Sequence, residues 1–241
     1  MAVVRGALAD LLGLVVPVAC AGCGRKDVPW CAACAALLTG PPVRCERAAP
    51  RLDLVDRVLL PAWALAPYTG RVRAAVGAWK DGGRADLDRA LRAALARAAP
   101  HVAREAALAR SPGPPLLVVP VPSTAAARRR RGRAPVEVLA HGVADGLAGA
   151  GYRAAAAPAL VRGRGADLAG LGAQARVAAL DGRVRVRPGV RVHDRRVLLV
   201  DDVLTTGATI AACVDVLRRH RADVVACCVL AATPPPSGRP A

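Results

Sequence analysis

The chain has 241 residues, 54% of them hydrophobic and only 2% aromatic, with no Phe, so its core must be assembled from Ala, Val and Leu. That length excludes a disulfide miniprotein, and that apolar share excludes a disordered, solvating chain. Thirty-five basic against eighteen acidic side chains leave +17, but only Lys26 and Lys80 are lysines, Ile210 is the sole isoleucine and Asn is absent. The composition has the look of GC-rich codon usage, so attraction to a polyanion is permitted by the charge and not demonstrated by it.

In chain order, the first 20 residues carry Arg5 and an apolar run from Leu11 to Ala19. This imitates a secretory or lipoprotein leader, but Asp10 interrupts the pattern and Pro17 sits badly for a lipoprotein cleavage site. A short amphipathic helix is the plainer expectation. No apolar run reaches the roughly 18 residues of a spanning helix.

Cys20-x-x-Cys23 and Cys31-x-x-Cys34 follow, each pair able to form a tight knuckle in which Gly22 and Gly24 relieve the turn. Two knuckles complete a four-sulfur shell for a structural Zn²⁺, with no position left for a catalytic water. A redox dithiol, a disulfide pair and an Fe–S cluster share the spacing. Cys213, Cys227 and Cys228 fall on apolar stripes and read as small hydrophobes. Cys45 stands alone between Pro42 and Pro50 and receives no role. Free buried thiols beside a zinc site point to a reducing compartment, the cytoplasm.

A Pro/Gly-rich stretch at 40–50 places a boundary near residue 50. The expected division is an N-terminal helix and cysteine module over 1–49, a main domain over 50–233, and a disordered tail over 234–241. Leu87, Leu91, Leu95, Ala98 and Val102 recur at helical spacing. Leu116–Val121 reads as a buried strand, followed by a basic loop. Val136, Leu139, Ala140, Val143 and Leu147 mark a second amphipathic helix, and the Gly/Arg-rich stretch from Arg162 to Gly172 reads as a loop. Val197–Val200 is a short buried strand, Ile210, Cys213, Val214 and Leu217 share a helix face, and Val224–Ala232 is a further strand. This alternation predicts an α/β fold with a parallel sheet and right-handed crossovers.

Residues 197–209, Val-Leu-Leu-Val-Asp-Asp-Val-Leu-Thr-Thr-Gly-Ala-Thr, combine a buried strand, two acids, a small polar loop and a helix start. Thr205, Thr206, Gly207, Ala208 and Thr209 would offer hydroxyls and unpaired N–H groups at the positive end of a helix dipole, a setting for phosphate. Asp201 and Asp202, at the carboxyl end of the strand, would accept sugar hydroxyls or hold Mg²⁺ through water. Each residue alone is an ordinary turn or cap residue; the string is far more specific.

The string resembles the phosphoribosyl-diphosphate (PRPP) motif of type I phosphoribosyltransferases. With the cysteine knuckles ahead of it, the chain resembles the ComF family, whose members include competence proteins linked to DNA uptake. Tyr68-Thr-Gly-Arg-Val-Arg73, Trp79-Lys80-Asp-Gly-Gly-Arg84, Val119-Pro-Val-Pro122 with Arg131-Gly132, and the stretch from Asp167-Leu-Ala-Gly-Leu171 to Arg176 are similar to successive blocks of that family. Arg133-Ala134, Leu168 and Ala179 depart from its commoner residues.

The resemblance implies a type I phosphoribosyltransferase fold behind a zinc module. It implies Mg²⁺-dependent PRPP binding and transfer of the phosphoribosyl group to an acceptor that no residue here identifies. Asp201 and Asp202 would hold the ribose, Thr205–Thr209 the 5′-phosphate, and Lys80, Ser123 and Arg131 the pyrophosphate. The alternative is a non-catalytic, PRPP-sensing or single-stranded-DNA-handling accessory protein acting with DNA-uptake partners, for which the arginines at 128–131 and 133 would supply charge. His101, His141, His193 and His220 form no recognisable site.

Overall fold

The structure is a computed structural model that describes residues 18–108, 110, 113–163 and 184–235. The leader-like residues up to 17, the block from Asp167 to Arg176 with Leu168 and Ala179, and the tail beyond 235 lie outside the described residues. A six-stranded sheet is ordered β1-β2-β8-β7-β3-β4, with β1 (Val43–Arg44), β2 (Ala62–Pro67), β3 (Leu116–Pro120), β4 (Ala154–Ala156), β7 (Arg196–Leu204) and β8 (Asp223–Ala232). Every neighbouring pair is parallel except β1 with β2. β5 (Leu160–Arg162) and β6 (Val184–Val186) form a separate antiparallel pair.

The central strands are apolar on both faces, as a covered parallel sheet requires. Leu198, Val200, Val118, Cys228 and Leu230 join the core under α2 (Gly70–Lys80), α3 (Asp88–Glu105) and α5 (Pro135–Gly149). Val197, Leu199, Val119, Cys227 and Val229 join the core under α6 (Ala208–Arg219). The period-2 alternation of one strand thus feeds two cores. The expected stripes of α3, α5 and α6 are buried at every position named from the sequence.

Several elements differ from the sequence reading or are absent from it, α2, β1, β4, β5 and β6 among the latter. The segment after Pro122 is not a loop: Ala125–Arg131 is a helix, α4, whose Thr124 Oγ1 accepts the Ala127 N–H at 3.1 Å and whose C-terminal Gly132 takes φ 63°. It buries no residue, so no apolar stripe marks it. β2 escaped notice because Ala-rich segments have weak strand propensity. β7 runs past Val200 to Leu204 and includes both acids, with Asp201 opposite Val229 and Val203 opposite Ala231.

The cysteine segment sits against α2. An isolated bridge between Ala19 and Lys26 closes the first knuckle, and α1 (Ala32–Ala36) carries Cys34. Trp30 and Ala21 pack on the main core.

Candidate functional site

The chain leaves β3 for α4 and α5 on one face of the sheet, and leaves β7 for α6 on the other. The carboxyl ends of these adjacent strands therefore part at a topological switch point, where open α/β sheets bind ligands. Ser123 emerges from β3 there, and Asp201, Asp202 and the 205–209 loop emerge from β7.

Asp202 is buried, its side chain 2% exposed, and Lys80 at the end of α2 meets it. Lys80 Nζ lies 2.8 Å from Oδ1 and 2.6 Å from Oδ2. Only Oδ1 receives well-aligned hydrogen bonds, from Lys80 and from the Val203 N–H at 2.8 Å. Burial would lower the Lys80 pKa, but the Asp202 carboxylate outweighs it and the net direction is upward. Asp201 accepts the Asp202 N–H at 2.8 Å. Its own carboxyl is pushed well above the ordinary range, first by burial and then by the charge of Asp202.

A second cluster adjoins Lys80. Asp81 Oδ1 accepts from Arg131 Nη2 at 2.7 Å, Arg131 Nε at 3.2 Å and Arg130 Nη2 at 2.9 Å. The Arg131 bond holds the Asp81 carboxyl below its usual range. Arg131 is thereby fixed at the end of α2, its side chain 10% exposed. Arg133 is occupied elsewhere: it pairs with Asp88, donates to the Trp79 carbonyl at 3.2 Å and lies 5.5 Å from the Trp79 ring centre. The arginines at 128–131 and 133 are therefore not one continuous solvated patch.

On the other side of the acids, Thr205 and Thr206 are exposed in the turn before α6, and Thr209 lies in its first turn. Gly207 has no side chain to cap this helix, and the only side-chain bond to its start is a long one, from the Ala208 N–H to Thr206 Oγ1 at 3.5 Å. Gly207 takes φ 77°, and a Cβ there would stand 2.7 Å from Leu52 Cγ. The glycine is thus required by packing from beneath as well as by the left-handed turn. Arg51 N–H also donates to the Thr206 carbonyl at 3.0 Å. Ser123 shares a depression with Pro122, Arg128, Glu137 and Leu160, whose lining includes neither Asp201 nor Asp202.

The sequence reading missed Asp81, which organises two arginines, and Leu52, which shapes the loop. Asp81 stands in the Trp79–Arg84 block, so its acid beside Lys80 was a usable signal. Leu52 carries none.

Cys20, Cys23, Cys31 and Cys34 bring their Sγ atoms within 4.8 Å of one another. A tetrahedral zinc with arms of ~2.3 Å needs sulfur–sulfur edges of roughly 3.8 Å; Cys23 and Cys31 are 3.7 Å apart. Burial opposes ionisation of Cys20, but N–H groups of Cys31, Cys23 and Gly22 bring its pKa down to about 6. The cluster could hold a metal such as zinc. The remaining cysteines behave otherwise: Cys213, Cys227 and Cys228 are buried, and burial pushes the Cys45 thiol up to about 12. None of the eight forms a disulfide. No described helix is long and apolar enough to cross a membrane.

No curated protein matches the chain. A family model, the phosphoribosyl transferase domain, matches residues 170–240, a span whose described part runs from β6 through the acids and the threonine loop to β8. The chain thus carries a phosphoribosyl transferase domain match on a mixed α/β fold with a mostly parallel sheet, behind a four-cysteine cluster.

Proposed function

We propose that this protein binds PRPP at the switch point between β3 and β7 and transfers its phosphoribosyl group to an acceptor. The observation that carries the reading is the juxtaposition of two acids with a helix start that is only weakly capped, by Thr206 Oγ1 on the Ala208 N–H at 3.5 Å, and a hydroxyl-rich turn, inside the matched span. Thr205, Thr206 and the N–H groups of Gly207, Ala208 and Thr209 hold the 5′-phosphate, where the α6 dipole favours negative charge. Asp201 and Asp202 accept the ribose hydroxyls and stabilise positive charge that develops on the ring as pyrophosphate leaves. Lys80 and Arg131 face the pyrophosphate, and Ser123 meets it from the β3 side. The family to which the residues bear resemblance, ComF, joins such a domain to a zinc module, and the cysteine cluster here fits Zn²⁺.

The acids also suit a divalent cation, because their donors are hard carboxylate oxygens. Mg²⁺ bound there would neutralise pyrophosphate oxygens. Catalysis by the chain itself is mainly positional: it fixes phosphate and ribose while C1 is attacked.

Calorimetry with PRPP and Mg²⁺ tests the reading. Thr206→Glu places a negative charge where the helix tolerates it and a phosphate does not, so it should weaken PRPP and ribose 5-phosphate alike. Asp201→Asn with Asp202→Asn should chiefly remove ribose and metal contacts and leave residual phosphate binding. Gly207 is a poor probe, because any side chain there strikes Leu52. Absence of PRPP binding by wild type at millimolar ligand, or wild-type affinity in Thr206→Glu, overturns the reading. Pyrophosphate release with a candidate acceptor separates turnover from binding alone.

A further inference from the structure

One side chain joins the cysteine segment to the turn that follows Lys80 at the end of α2. Arg84 follows α2 across the Gly82-Gly83 turn, and its Nη1 donates to the Ala19 carbonyl at 2.9 Å while its Nη2 donates to the Pro29 carbonyl at 2.9 Å. Ala19 directly precedes Cys20, and Pro29 stands two residues before Cys31. One guanidinium therefore reads the backbone of both knuckles. Asp86 fixes its other edge, accepting from Nε at 2.9 Å and Nη2 at 2.8 Å.

The turn that carries Arg84 is tied to α2, through Arg84 N–H to the Ala78 carbonyl at 3.2 Å and Asp81 N–H to the Gly77 carbonyl at 2.9 Å. A second contact grips the start of the same helix. Gly22 lies so close that a Cβ there would stand 3.2 Å from the Arg71 carbonyl and 2.8 Å from Cys34 Sγ. The cysteine segment thus abuts the start of α2 and is hydrogen-bonded to the turn beyond its end, and the last residue of α2 is Lys80.

We propose that Arg84 is a positioning residue: through it, a metal-loaded four-cysteine cluster fixes the end of α2 and so holds Lys80 against Asp202. The two carbonyls belong to different knuckles, joined to each other by the Ala21 N–H to the Pro29 carbonyl at 3.2 Å, and a metal closing the sulfur shell would hold them rigidly at the spacing of a planar guanidinium fork. The coupling is reciprocal, so a ligand that engages Lys80 strengthens metal retention. This last step rests on the PRPP reading; the link from Arg84 to the cluster does not.

The test uses zinc-loaded, full-length protein and a chromogenic chelator at equilibrium. Arg84→Met keeps the aliphatic stem and loses the fork, and should lower apparent zinc affinity about tenfold, with Arg84→Lys recovering part of it. Saturating PRPP with Mg²⁺ should raise zinc retention in wild type and leave it unchanged in Arg84→Met. The same variant should bind PRPP about fivefold more weakly, while ribose 5-phosphate, which brings no pyrophosphate to Lys80, stays within about twofold. A general loosening of the fold would weaken both ligands equally.

Wild-type zinc retention in Arg84→Met, or an equal PRPP effect on zinc in both proteins, overturns the proposal. If wild type binds no PRPP, the functional reading fails, and the chelator comparison alone decides whether Arg84 supports the cluster. Should Arg84→Met not fold, Arg84→Lys with the same measurements takes its place.

Discussion

Glu46 and Asp202 are the buried acids among the described residues, and each is answered by a cation from a different distance. Glu46 pairs with Arg44 two residues away and accepts the Ala62 N–H at 3.1 Å, pinning β1 to β2. Burial opposes its ionisation, but these bonds outweigh it and hold its pKa below the ordinary value. A depressed acid contributes stability above its unfolded pKa, about 4.3, and loses it as pH falls through the lower folded value. Glu46→Gln should therefore cost about 1–3 kcal/mol at pH 7. Paired denaturant titrations should show the difference shrinking below about pH 4; a difference constant with pH would refute the ion pair. For Asp202 the partner comes from α2. Lys80→Met strands a side chain that is 2% exposed and should cost about 3 kcal/mol, the low end for a broken buried pair because Lys80 itself is 32% exposed. Adding Asp202→Asn to the same chain should restore most of the loss in the same titrations.

At the level of elements, α5 lies against α3 at two glycines. A Cβ on Gly142 would stand 2.5 Å from the Arg92 carbonyl oxygen, and one on Gly146 would stand 1.9 Å from that of Ala96. Pro100 lies inside α3 and has no N–H, so the Ala96 carbonyl lacks its helical donor. The Cα–H of Gly146 points at that oxygen. These two glycines, one helical turn apart, let the backbones touch. Gly146→Ala should cost more than ~3 kcal/mol, since two rigid helices must separate. Gly149→Ala, on the same helix with nothing within 4 Å of its Cβ position, should be neutral or stabilising by up to ~1 kcal/mol. Thermal melts of the two variants decide the matter, and equal melting temperatures would contradict the contact.

For the whole molecule, the cysteine cluster is a part of the main structure rather than an appendage. Its own buried set is Cys20, Cys31 and Cys34, and Trp30 packs on both this set and the main core. Three buried side chains cannot hold a fold together, so a bound metal should supply that stability. Elemental analysis of protein purified under reducing conditions, without chelator, should find about one zinc per chain, and none when Cys20, Cys23, Cys31 and Cys34 are all changed to Ser. The four-Ser variant should also melt earlier, because Trp30 loses one of its two surfaces. Less than about half an equivalent of zinc in wild type would remove the assignment.

What the sequence determined by itself was what neighbours along the chain can encode. Apolar periodicity marked α3, α5 and α6 and the strands β3, β7 and β8, and spacing marked the cysteine quartet. The run 197–209 showed its strand, acids and hydroxyl-rich turn because all of them are contiguous. Features without a clear local signal stayed hidden: α4 buries nothing, and β2, though apolar, is half alanine, a weak strand former. Only the tertiary structure brought Lys80 to Asp202 across 122 positions, fixed Arg131 against Asp81 and Arg133 against Trp79, and set Leu52 beneath Gly207. Local propensity and periodicity act within one or two turns of chain, whereas these contacts join side chains that meet only after the sheet has ordered its strands and the helices have covered its two faces.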